Sequence, residues 1–173
     1  NEGMRALALF TGHQLDLSVA HPDEKVRENA DDLVQLLTPV VKAFLTDEGY
    51  NNANWGQQVL GGSGFPQDWP LEQLVRDGRI ARIYEGTNGI QAGDLVGRKI
   101  LGDGGAAITG LIADMKAAPG ISGGGTDALA RARAAQGQAL EGLEAATRWL
   151  LDQGPGDEAL VVSHPYLTLL GNV

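Results

Sequence analysis

The sequence predicts an all-α protein, an up-and-down helical bundle followed by further helices, and three observations predict it. Aromatic residues make up only 5% of the 173 residues, whereas strands favour Phe, Tyr and Trp. Ala, Leu and Gly are abundant, and β-branched residues rarely alternate with polar ones, so the period of two that marks strands is missing. Apolar residues recur instead at spacings of three and four over most of the chain.

The first helix is expected from Met4 to about Ala20, because Met4, Leu7, Ala8, Leu15 and Val19 fall roughly on one helical face. Pro22-Asp23-Glu24 supplies the proline and early acids of a second helix start. Val26, Ala30, Leu33 and Leu37 continue that helix as an apolar stripe. Thr38-Pro39 is read as its end and as the start of a third helix, since Thr caps well and Pro is tolerated in a first turn. That third helix would run through Phe44 to Leu60, with Gly49 and Gly56 against it.

Gly61-Gly62-Ser63-Gly64-Phe65-Pro66 must be a loop or tight turn, because three glycines in four residues are too costly in backbone entropy inside a helix. It is either an ordinary helix-terminating turn or a place where backbone amides approach a phosphate or a ring. It is not a dinucleotide fingerprint, as the third glycine and a preceding strand are missing, and Ser63 lacks the glycine two positions on that a nucleophile elbow needs. A short helix follows from Pro70, carrying Arg76, Arg79 and Arg82 at three-residue spacing. Such a stripe can meet an anionic cofactor, but it more commonly pairs with carboxylates or is solvated.

Next comes Arg82-Ile83-Tyr84-Glu85-Gly86-Thr87-Asn88-Gly89-Ile90-Gln91, a single carboxylate on a glycine-punctuated turn between two helical patterns. Ile83 and Tyr84 give Glu85 an apolar approach, Gly86 lets a ligand near the backbone, and Thr87 can cap the next helix. An apolar substrate closing over Glu85 would desolvate it, the condition under which a carboxylate becomes a general base. A solvated Glu in a helix-capping segment would use the same tetrapeptide.

The helix through Ile90, Leu95, Val96 and Leu101 should end at Gly102-Asp103-Gly104-Gly105, the expected domain boundary, dividing the chain into 1–102 and 103–173. Beyond it, alanine-rich helices are expected through Ile108 to Met115 and Leu129 to Leu150, with breaks at 119–125 and at Gly154-Pro155-Gly156. Pro165 should kink or interrupt the last segment. His13, His21 and His164 lack metal-ligand spacing, and the absence of cysteine removes thiolate chemistry and disulfides.

The formal net charge of -9 argues against a nucleic-acid surface. No apolar run is long enough to span a bilayer. The expectation is a soluble, cytoplasmic, bacterial protein with neither signal nor transit peptide. Because the first residue is not Met and helical patterns run almost to both ends, a fragment of a longer polypeptide is expected.

Taken together, Gln58-Val59-Leu60-Gly61-Gly62-Ser63-Gly64-Phe65, then Val75-Arg76-Asp77-Gly78-Arg79-Ile80, then Ile83 to Gln91, resemble the C-terminal helical domain of an acyl-CoA dehydrogenase in order and spacing. The alanine-rich stretch after Gly104 is similar to the extra C-terminal region of long members of the 3-methylmercaptopropionyl-CoA dehydrogenase type. The resemblance implies that Glu85 removes a proton from the carbon next to a thioester carbonyl while a hydride leaves the next carbon for the N5 atom of FAD. It implies that the backbone at Gly86 lies against the acyl-CoA. Gln58, Val59, Leu60, Gly61 and Gly62 would reach the FAD of a neighbouring subunit, and Thr87, Asn88 and Gly89 that of their own. A homo-oligomer and an electron-transfer flavoprotein as electron acceptor are implied in the same way.

Gly89 stands where many members carry Gln, so a side-chain contact to FAD is not expected there. The family's N-terminal helical and middle β-domains lie outside these 173 residues, so the chain alone is expected to be inactive and to bind FAD weakly or not at all. A helical interaction or assembly module without chemistry of its own is the competing reading. Either way, the stripe of Val26, Ala30, Leu33 and Leu37 is expected to be uncovered and to drive self-association.

Overall fold

The computed structural model describes residues 1–118 and 127–173, and among these the secondary structure is all helical, with no strand. The break expected at 119–125 lies outside the described residues. Contacts divide the chain into two compact units, Asn1–Ala92 and Gly93–Val173. The change of unit therefore falls inside the helix that precedes the glycine cluster of 102–105.

In the first unit, α1 (Glu2–Ala20) folds back along α2 (Glu24–Val59), and Asn52 near the far end of α2 donates to the Asn1 side chain at 3.2 Å. The turn between them is set locally. Asp23 caps α2 by accepting from the Lys25 N–H at 2.9 Å, and Arg27 reaches back to the His21 carbonyl at 2.7 Å.

The helix expected to end at Thr38-Pro39 instead runs through both as one helix of 36 residues. Proline in a helix interior removes a ladder bond and costs about 3 kcal/mol. Here Pro39 is buried in a continuous apolar face with Leu36, Leu37, Val40, Ala43 and Phe44. Burying side chains of that size contributes roughly 1.5–3 kcal/mol each, so packing outweighs the local rule.

The stripe expected to lie uncovered is largely covered: Ala30 and Leu37 are buried, and Val26 and Leu33 are half-buried. The unpartnered apolar surface lies on α1, which buries none of its residues and exposes Leu9, Phe10, Leu15 and Val19. After α2 come a single 3-10 turn at Gly61–Gly64 and the helix α3 (Leu71–Ala81), which packs back on α2. Only glycine fits at Gly64, because an added Cβ would overlap the Gln57 carbonyl oxygen.

The helix α4 (Asn88–Asp94) passes without a break into a π-helical stretch, Leu95–Ile100, where Leu101 N–H bonds back to the Val96 carbonyl at 3.0 Å. The second unit places Leu95, Val96 and Ile100 in its core with Ile108 of α5 (Ala106–Ala117), Leu143 and Leu150 of α6 (Asp127–Gln153), and Leu167. Asp103 accepts from the N–H groups of Gly105 and Ala107 at 2.8 and 2.9 Å and so starts α5. The interruption expected near Pro165 is observed, as α7 (Asp157–Val161) stops and α8 (Ser163–Asn172) starts with that proline in its first turn. Among the described residues no helix is long and apolar enough to cross a membrane.

Candidate active site

The carboxylate stretch is a turn with an unusual backbone. After α3 the chain closes with Ile83 and Tyr84 N–H groups on the Ile80 carbonyl at 2.9 and 3.1 Å, then two successive residues turn left-handed, Glu85 at φ 55° and Gly86 at φ 82°. Glycine adopts this conformation freely, but Glu85 is the one non-glycine residue with positive φ among the described residues. A side chain there costs about 1–2 kcal/mol and persists only where neighbours fix the backbone. The Thr87 carbonyl then accepts from Gln91 N–H at 3.0 Å, the first ladder bond of α4.

Four side chains fix this turn. Gln91 donates from Nε2 to the Glu85 carbonyl at 2.9 Å, and Lys42 of α2 donates from Nζ to the Gly86 carbonyl at 2.7 Å. Lys42 also donates to Asn88 Oδ1 at 2.8 Å. Asn88 is buried, and its Nδ2 donates to the Ala43 carbonyl and to Thr46 Oγ1, both at 3.1 Å. Upstream, Arg82 pairs with Asp47 and lays its guanidinium over the Tyr50 ring, 5.0 Å from the centroid. The arginine stripe thus serves α2 at this point.

The residues singled out in the sequence fall into two groups. Glu85, Gly86, Thr87 and Gly89 are exposed around the turn, whereas the Asn88 side chain faces inward and is engaged by Lys42, Ala43 and Thr46. Gln58, Val59, Gly61 and Gly62 are exposed and Leu60 half-buried at the other end of α3, which is 11 residues long and hence about 16 Å. An open concavity of about 950 Å³ lies along α3, lined by Tyr50, Phe65, Arg76, Arg79, Ile80 and Ile83 among others. It reaches within two residues of Glu85.

Gly62 and Gly89 are exposed, and among the described residues a Cβ on either would meet no atom within 4 Å beyond its chain neighbours and, for Gly89, the adjacent helix backbone. Nothing in the chain's own packing asks for glycine at these positions, and the space above both backbones is open to a ligand. Among the described residues there is no group of His, Asp and Glu able to hold a metal ion. Lys42 and Thr46 were not singled out by the sequence reading. Their one trace there is the spacing of four that puts both on one side of α2, beside its buried face.

Fold and turn together define an all-α arrangement that mounts one carboxylate on a left-handed, hydrogen-bonded corner. The sequence profile described as "Acyl-CoA dehydrogenase, C-terminal domain" matches residues 4–101, and the chain belongs to that family. It is 41% identical over 99% of its length to the 3-methylmercaptopropionyl-CoA dehydrogenase of Ruegeria pomeroyi. Over 62% of its length it is 43% identical to the broad-specificity linear acyl-CoA dehydrogenase FadE5 of Mycobacterium tuberculosis. A butyryl-CoA dehydrogenase of Syntrophomonas wolfei shares 36% identity over 57% of the chain. The aligned part spans 29%, 18% and 16% of those three proteins.

Proposed function

We propose that this chain supplies the base, and part of the cofactor and substrate surface, of an FAD-dependent acyl-CoA dehydrogenase that α,β-desaturates an acyl-CoA thioester. The observation that carries the reading is the left-handed Glu85, a glutamate whose strained backbone turn is held at the Glu85 and Gly86 carbonyls by side chains from two helices, in a chain of this family. Strain of this kind is retained where position matters more than stability.

In the reaction, the C–H bond next to the thioester carbonyl breaks, its proton passes to the Glu85 carboxylate, and the electron pair enters the new C=C bond. Bound FAD would supply the acceptor for the hydride that leaves the neighbouring carbon. The Gly86 backbone would lie against the acyl-CoA. Gln58, Val59, Leu60, Gly61 and Gly62 would face one flavin, and Thr87, Asn88 and Gly89 another. The open space above Gly62 and Gly89 supports both contacts, and the engaged Asn88 side chain limits that residue to its main chain. Two flavin surfaces at opposite ends of α3 fit a homo-oligomer, with the electrons passed to an electron-transfer flavoprotein.

Glu85→Gln in the flavin-loaded full-length protein is the test. The amide keeps the shape but is no base, so on anaerobic mixing with acyl-CoA the flavin should bleach ~10²–10⁴ times more slowly. Bleaching at the wild-type rate would remove Glu85 from the mechanism.

A further inference from the structure

We propose that Lys42 is a positioning residue for Glu85, acting with Gln91 as a pair of clasps on the two successive left-handed carbonyls of the turn. This inference rests on the reading of Glu85 as the base. Two consecutive residues at φ 55° and 82° have no ladder of their own to hold them, and each carbonyl instead receives one side-chain donor: Gln91 on Glu85, Lys42 on Gly86. The Gln91 clasp is local, six residues away, while the Lys42 clasp comes from α2, 44 residues away. Of the two clasps, the second ties the turn to α2, alongside the bonds of Asn88 to Ala43 and Thr46.

The Lys42 ammonium is aimed by Asn88. With Nδ2 directed at the Ala43 carbonyl and Thr46 Oγ1, the amide has one orientation that satisfies it, and that orientation presents Oδ1 to Lys42. A flipped amide would set an NH₂ group against the ammonium. Lys42 thus reaches the Gly86 carbonyl from a fixed direction, with a charge-assisted bond stronger than a neutral one. Any change in the backbone angles of Glu85 or Gly86 swings the carboxylate relative to the carbon it must reach, and a misplacement of about 1 Å can cost on the order of 10²-fold in rate.

The experiment compares Lys42→Met, Lys42→Arg and Glu85→Gln in the flavin-loaded full-length protein. Lys42→Met keeps the apolar stem and removes the donors. Its flavin-bleaching rate at saturating acyl-CoA should fall roughly 10- to 100-fold, with flavin content and substrate dissociation constant unchanged. Hydrogen–deuterium exchange over residues 83–91 should rise in the same variant, with or without flavin. Lys42→Arg, which retains donors, should recover part of the rate. Wild-type bleaching by Lys42→Met beside an inactive Glu85→Gln overturns the positioning role alone, and so does failure of Lys42→Arg to exceed Lys42→Met. Wild-type bleaching by Glu85→Gln overturns the underlying reading instead. If Lys42→Met does not load flavin, Gln91→Leu carries the same test on the other clasp, and a wild-type rate there overturns the proposal.

Discussion

Replacing Asn88 by alanine should destabilise the first unit more than any other single polar truncation around the turn. The side chain donates two bonds, to the Ala43 carbonyl and Thr46 Oγ1, and its Oδ1 accepts from Lys42 at 2.8 Å, with the Thr46 hydroxyl a longer donor at 3.4 Å. A neutral bond contributes about 1 kcal/mol net and one to a charged group about 1.5–3 kcal/mol. Lys42 is half-buried and regains water when its acceptor is removed, and Thr46 keeps its bond to the Lys42 carbonyl at 2.7 Å. The net loss is then about 2–3 kcal/mol, mostly from the buried donors' former partners and the space left by the amide. With a urea slope of roughly 1–3 kcal/mol per molar, the unfolding midpoint of the 173-residue chain, followed by far-ultraviolet circular dichroism, should drop by about 1–2 M. Asn88→Asp, which keeps the acceptor but not the donors, should fall between the two. A midpoint within ~0.3 M of wild type would show that the buried amide does not hold the turn, and would weaken the case that Lys42 is aimed by it.

Tyr166 gives a pH signature in the second unit. Burial pushes its phenol up from 10.0 to about 12, although the bond to Thr147 acts the other way. The folded state therefore holds a proton that the unfolded state releases, so the stability this contributes is present below pH 10.0 and lost as pH rises towards about 12. Tyr166→Phe should flatten the fall in urea midpoint over that window while costing about 1 kcal/mol at neutral pH; an unchanged slope would refute it. Separately, the exposed Leu9, Phe10, Leu15 and Val19 of α1 should make the chain self-associate at micromolar concentration. Light scattering should report an assembly for the wild type and a smaller species for Phe10→Lys with Val19→Lys, and a monomeric wild type would count against it.

What the sequence disclosed follows the range of the interaction concerned. The end of α1 and the start of α2 are legible because Pro22, Asp23 and Glu24 act within one turn of where they stand. Pro39 misled because its local penalty is visible in sequence, whereas the buried face that outweighs it becomes visible only when α2 is packed. The π-helical stretch at Leu95–Ile100 has no sequence mark of its own. At the site, Glu85 and Gly86 stood out as a carboxylate beside a glycine, yet the left-handed conformation of a glutamate is one that a local reading would assign to the glycine alone.

The clasp from α2 was the least accessible feature, since nothing in sequence pairs Lys42 with Gly86 and Asn88 more than 40 residues later. It did leave one indirect trace. Lys42 and Thr46 sit four apart, flanking Ala43 and Phe44 at the end of an otherwise apolar buried face. Polar groups beside a core must find partners or lose about 1–3 kcal/mol each, so a lysine and a threonine at that spacing ask for a polar group delivered from elsewhere in the chain. Asn88 answers that request with a buried amide, and because it lies three residues after Glu85, the same bonds that satisfy α2 also fix the backbone carrying the carboxylate. On the proposed reading of Glu85 as the base, packing and catalysis would share one set of hydrogen bonds here. A change at residue 42, 46 or 88 should act on both, while a change at the exposed Glu85 carboxylate should act on catalysis alone.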